Sequence, residues 1–142
     1  MPAARSKAGF SLVEIMVAVA IIGILATVVL INVLPALDRA KTEKARTDVA
    51  TLEQALETYK LETQSYPTAE QGLAALVHAP AGLTHPELYR NGGYVKRLPD
   101  DPWGKPYLYA VPGRSGAAFE VYSLGADGKP GGEGPNADVG TW

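Results

Sequence analysis

The 142-residue sequence contains no cysteine. A disulfide scaffold, a thiolate zinc centre, an iron–sulfur cluster and a cysteine nucleophile are therefore excluded. An excess of basic charge is missing too: 13 Lys+Arg stand against 15 Asp+Glu, a formal net charge of −2. Such a balance offers no basic face for nucleic acid, and no nucleic-acid partner is expected. Histidine is scarce, with only His78 and His85, and neither stands in an arrangement suited to nucleophilic or acid–base catalysis. Both read as surface residues. Asp100 and Asp101 lie between Pro99 and Pro102 and read as turn-shaping residues, not an acid–base pair. There is no Gly-rich phosphate loop between a strand and a helix. The chain therefore reads as a non-enzyme. With 46% hydrophobic residues it is too apolar to be disordered, and its length suits one domain at most.

Charge is absent over one long stretch, Ile15 to Leu37. As a helix this run rises about 34 Å, enough to cross a hydrocarbon core of about 30 Å. The remainder of the chain is too small to surround such a rod, so the run reads as a membrane span. It is longer than the apolar stretch of a secretory signal, and no small-residue cleavage site comes after it. Arg5 and Lys7 flank it on one side and Arg39, Lys41, Lys44 and Arg46 on the other, so positive charge alone does not set its orientation. Glu14 interrupts the apolar pattern one turn in, and a carboxylate there needs a partner. Either it reaches water at the interface or it pairs with a cation on another chain. A cut between Gly9 and Phe10 would create such a cation, an α-amino group at the apolar tip of a neighbouring, staggered subunit.

Lys7-Ala8-Gly9-Phe10-Ser11-Leu12-Val13-Glu14, leading into a long apolar helix, resembles the class III signal of type IV pilins and type II secretion pseudopilins. The resemblance implies that a prepilin peptidase cuts after Gly9 and methylates Phe10. Glu14 matches the family's glutamate, four residues beyond that phenylalanine. It also implies three parts: a leader over 1–9, a transmembrane and assembly helix over 10–37, and a periplasmic head over 38–142.

Beyond the span, Ala45, Val49, Leu52, Leu56 and Tyr59 recur at spacings of 4, 3, 4 and 3, which marks one helical face. Joined to the span, this predicts a helix from about Phe10 to Glu62, roughly 80 Å long. Pro35 has no N–H for the Ile31 carbonyl, so a bend or local melting is expected around Ile31–Pro35. In the family this stretch can unwind on assembly, although many pseudopilins carry their proline nearer the middle of the span.

In the head, Thr68-x-x-Gln71 reads as a capping box opening a short helix to about Val77. Residues 107–111 and 119–123 are strand-like, and Pro112-Gly113-Arg114-Ser115-Gly116 between them is turn chemistry, so they should form a hairpin. The expected fold is α+β: a long helix, half transmembrane and half amphipathic, packed on a small antiparallel sheet. Trp103, in the turn-rich run Arg97–Pro106, is assigned to the core. That run, together with Tyr66-Pro67-Thr68 and Gln71-Gly72-Leu73, resembles the head of major type II secretion pseudopilins. The likeness extends over nearly the whole chain.

The last eighteen residues, from Gly125, are glycine-rich and acidic. Asp127, Glu133, Asn136 and Asp138 offer hard oxygen ligands that suit Ca²⁺. The spacing is not that of an EF-hand, and the single Gly-Gly-x-Gly echo of a β-roll has no second copy to stack on. From spacing alone, a calcium loop and a solvated acidic turn both stay open. The resemblance implies structural Ca²⁺ in a loop over about 124–142. Leu124 and Thr141 would contribute carbonyls and Asp127 and Asp138 carboxylates, with Asn136 replacing an acid that many members carry. A metal would then staple a head that lacks disulfides.

As a whole, the resemblance implies the major structural subunit of a type II secretion pseudopilus, polymerising from the bacterial inner membrane to drive folded proteins across the outer membrane. The leader would be cytoplasmic and the head periplasmic. Partners would be further copies of itself, minor pseudopilins, the prepilin peptidase, and an inner-membrane assembly platform with its ATPase. Phe10 and Glu14 would pair between neighbours, and Glu53 and Glu57, one turn apart, would meet a basic residue such as Arg97 on an adjacent head. Two alternatives stand beside this: a type IV pilin of a surface or DNA-uptake fibre, usually with a cysteine pair, and a single-pass calcium-binding sensor or adhesion module.

Overall fold

The computed structural model describes residues 8–142, so Arg5 and Lys7 of the basic leader lie outside the described residues. Helix α1 spans Leu12–Thr63. Its first turn is capped by Ser11, whose Oγ accepts the Glu14 N–H at 3.1 Å, satisfying one of the donors a helix start leaves open. The described residues divide into two units, the first ending at Leu37 and the second spanning Asp38–Trp142.

In the first unit the apolar side chains from Leu12 to Leu37 are exposed all round the helix. Among the described residues, α1 is the one helix long and apolar enough to cross a membrane. The helix is unbroken through Ile31–Pro35, so the expected melting does not occur in this structure. Proline removes a single i→i−4 bond, and the bonds of the neighbouring turns hold the helix through that gap. The two polar side chains in the span turn back on their own helix. Thr27 Oγ1 donates to the Gly23 carbonyl at 2.9 Å, and Asn32 Nδ2 to the Val28 carbonyl at 2.8 Å.

In the second unit, the face read from the spacing is the buried one: Ala45, Val49, Leu52, Leu56 and Tyr59 are each no more than 3% exposed. From Val49 onward this face packs with Leu73, Leu76, Tyr107, Phe119 and Val121 in one core. The hairpin forms as expected, from β1 (Leu108–Ala110) and β2 (Glu120–Ser123), with Tyr109 opposite Val121. A third strand, β3 (Val139–Gly140), joins the other edge of β2 and completes an antiparallel sheet in the order β1-β2-β3.

Two local expectations change. Thr68 and Gln71 do make the reciprocal capping box, with N–H to side-chain oxygen distances of 2.9 and 3.2 Å. The chain then makes a turn and a 3-10 helix at Leu73–Leu76, not an α-helix to Val77. Gly72, at φ 59°, takes a left-handed backbone that ends any α-helical run before it starts. Trp103 is half-buried, not core. The buried group in that run is Asp101, which accepts the Trp103 N–H (3.1 Å), the Lys105 N–H (2.8 Å) and the Ser123 hydroxyl (2.6 Å). A carboxylate with three donors is satisfied below the surface, and the turn is organised around it.

Candidate functional site

Gly9 and Phe10 precede α1, and Phe10 is 78% exposed. Glu14 lies in the first turn, also exposed. Ser11 thus fixes where the helix begins, and Phe10 is left one residue outside the cap. The Gly9-Phe10 pair sits in non-helical chain.

On the head, Glu53, Glu57 and Arg97 are all exposed. They are not brought together within the subunit. Among the described residues, Arg97 and Glu53 make no side-chain hydrogen bond or ion pair, while Glu57 accepts the Tyr66 hydroxyl at 2.8 Å. Arg97 borders a cleft of about 460 Å³ with Lys44, Asp48, Leu98 and Asp100. Asp48 in that cleft is already satisfied, by Lys44 and by the Tyr107 hydroxyl at 2.9 Å. Burial, and then the Asp48 carboxylate, push the Tyr107 hydroxyl pKa well above the ordinary phenol range.

The glycine-rich end folds back on itself. Ala126 N–H donates to the Pro135 carbonyl at 2.9 Å, and a Cβ at Gly125 (φ 69°) would collide with the carbonyls of Asn136 and Ala137. Only glycine permits that approach, so the arm carrying Leu124 and Asp127 lies beside the arm carrying Asn136 and Asp138. Asp127 Oδ1 accepts the Lys129 N–H at 3.0 Å, in a local turn. Asp138 Oδ2 accepts the Gly131 N–H at 3.0 Å, whereas its Oδ1 is buried with no hydrogen-bond partner. Thr141 sits against β2, its N–H donating to the Val121 carbonyl at 3.1 Å. Among the described residues no three His, Cys, Asp or Glu side chains gather as a metal cluster. A cation here must therefore be completed by carbonyls, Asn136 or water, which is the coordination that Ca²⁺ accepts. A buried carboxylate oxygen with no donor is costly unless something fills its lone pairs, and in that respect the residues present fit the ion.

One cluster escapes sequence reasoning. Glu120, in β2, is 2% exposed. It accepts the Ser115 N–H at 2.6 Å and pairs with Arg114 Nε at 3.0 Å. Hydrogen bonds from Ser115, and then from Arg114, lower its pKa to about 2. The charge pair Arg114/Glu120 across a hairpin turn is the only signal the sequence carries, and six residues of separation do not reveal that Glu120 points inward.

The description "Type II secretion system (T2SS), protein G" matches residues 32–142, and "Prokaryotic N-terminal methylation motif" matches residues 4–30. The chain is 51% identical over 138 residues to the type II secretion system core protein G of Vibrio cholerae serotype O1, covering 97% of this chain and 93% of that protein. Its counterpart in Pseudomonas aeruginosa is 49% identical over 138 residues, covering 97% and 96%. Among solved structures, the crystal structure of the major pseudopilin from the type 2 secretion system of enterohaemorrhagic Escherichia coli matches with a TM-score of 0.66 at 40% identity. That match covers 78% of this chain and 94% of the other.

Proposed function

Because this chain belongs to the type II secretion system protein G family, we propose that it works as the major pseudopilin: the repeating structural subunit of a pseudopilus that moves folded proteins across the outer membrane. The observation that carries this reading is the pairing of a protein G head with the methylation motif and an exposed apolar helix on one chain. The helix anchors the subunit in the inner membrane before assembly, with the leader cytoplasmic and the head periplasmic. A prepilin peptidase cuts between Gly9 and Phe10 and methylates the new terminus. Its amine then pairs with Glu14 of a neighbour, because a carboxylate among apolar helices is stabilised chiefly by an opposite charge. Glu53 or Glu57 meets Arg97 of an adjacent head. Minor pseudopilins and an inner-membrane platform with its ATPase complete the machine. The subunit itself performs no chemistry.

We further propose a structural Ca²⁺ held by Asp127, Asp138, Asn136 and the carbonyls of Leu124 and Thr141. The unpartnered oxygen of Asp138 supports this. The ion supplies a cross-link between the two arms of the loop, and its binding stabilises the folded head by mass action.

The test is an intact-mass and secretion experiment in the host. The chain is expected to begin at N-methylated Phe10 only when the prepilin peptidase is present, and its deletion should abolish export of folded proteins. An uncut chain, or normal secretion without it, would overturn the assignment.

A further inference from the structure

The end of the chain is held by a cluster that neither assembly nor the ion's own ligands account for. Glu120 fixes the Arg114 guanidinium, which lies over the Tyr122 ring at 4.1 Å from its centroid and over the Trp142 ring at 5.9 Å. The two rings are 6.0 Å apart. Trp142 folds back across Gly140, where a Cβ would run into its ring. Gly140 is paired with Tyr122 in the sheet, and Thr141 exchanges hydrogen bonds with Val121: its N–H donates at 3.1 Å and its Oγ1 accepts at 3.4 Å. Residues 139–142 are therefore anchored along the sheet and clamped at the tip.

That short segment joins two of the groups assigned to the ion. Asp138 immediately precedes β3 and Thr141 comes directly after it. Trp142 is 59% exposed, so burial alone does little to hold it. Its ring is held by the Tyr122 ring, by the close approach to Gly140 and by the Arg114 guanidinium that spans both rings. Arg114 makes its ion pair with Glu120, at 3.0 Å.

We propose that Arg114, oriented by Glu120, is a positioning residue for the calcium loop: it clamps Trp142, and through β3 it sets Asp138 and Thr141 where they meet the ion. This rests on the calcium reading under the proposed function. Glu120 orients Arg114, while Asp138 keeps one carboxylate oxygen without a hydrogen-bond partner.

The experiment is calcium titration of the full chain in detergent by calorimetry, alongside thermal melting in chelator. Arg114→Ala should weaken calcium binding about two- to five-fold, the scale of an exposed cation–aromatic contact. It should also lower the metal-free melt, because it leaves the buried Glu120 without its ion-pair partner. Arg114→Lys should recover part of the affinity by restoring a cation over the rings. Trp142→Ala, which leaves the core and the Arg114–Glu120 pair untouched, should reproduce the loss of affinity with little change in the metal-free melt, and serves if Arg114→Ala does not fold. Wild-type affinity in both Arg114→Ala and Trp142→Ala would overturn the clamp while leaving the calcium site standing. A wild-type chain that binds no calcium would overturn the calcium reading itself, and the clamp with it.

Discussion

Leu56 is fully buried, and it shares one core with Leu76 and Val121. Replacing it with alanine deletes three carbons at a site enclosed by α1 on one side and the sheet on the other, so little can move in to fill the space. The expected cost is about 2–5 kcal/mol, read as a lowered urea midpoint for Leu56→Ala with an unchanged slope. An unchanged midpoint would mean that this helical face does not carry the head. Leu56 is legible in the sequence because its burial follows from spacing alone. The Tyr107–Asp48 hydrogen bond is not, since the two residues are 59 apart in the chain and neither type implies the other. Asp101 stands between these cases. Its place between prolines marks a turn, but nothing in the turn's composition shows that the carboxylate is drawn below the surface to collect three donors.

At the scale of elements, length decides what the sequence reveals. Helix α1 repeats its apolar period over several turns, and the face it predicts is the face that is buried. The hairpin is marked by turn residues between two apolar runs. β3 is two residues long, too short for any alternation, and it exists because β2 offers an open edge and the glycine-rich arm can return to it. β2 also carries the exception to its own pattern, the buried Glu120. Its carboxyl pKa is lowered from 4.5 in the free residue to about 2 by Ser115 and then Arg114. A lowered folded-state value means that the group's contribution is complete above about pH 4.5 and is lost as the pH falls from there toward 2. Acid titration in chelator should therefore show the wild-type chain losing stability across that window. Glu120→Gln should lose less across the same range, having already forfeited the contribution at neutral pH. Parallel acid curves for the two chains would place the acid sensitivity elsewhere.

For the molecule as a repeating unit, what matters is which groups the subunit leaves unsatisfied. The apolar helix is one such feature, and the pair of charges on the head is another. Within the second unit, Asp48, Glu62 and Glu120 are all paired, and Glu57 is engaged by Tyr66. Glu53 and Arg97 have no side-chain partner among the described residues, which makes Glu53 a better mate for a neighbour's Arg97 than Glu57. A single exposed pair contributes only up to about 1 kcal/mol. In a filament, however, the proposed contact would recur at every subunit, so a loss of several-fold per addition step would compound along the polymer. Arg97→Glu should therefore leave folding, processing and membrane insertion intact while sharply reducing pseudopilus yield, counted by electron microscopy of sheared filaments. Combining Arg97→Glu with Glu53→Arg should restore filaments, since both partners are carried on every copy and the reversed pair re-forms across each junction. Rescue by Glu57→Arg in place of Glu53→Arg would reassign the contact to the other carboxylate. Full filament yield in Arg97→Glu alone would remove the head-to-head ion pair from the assembly.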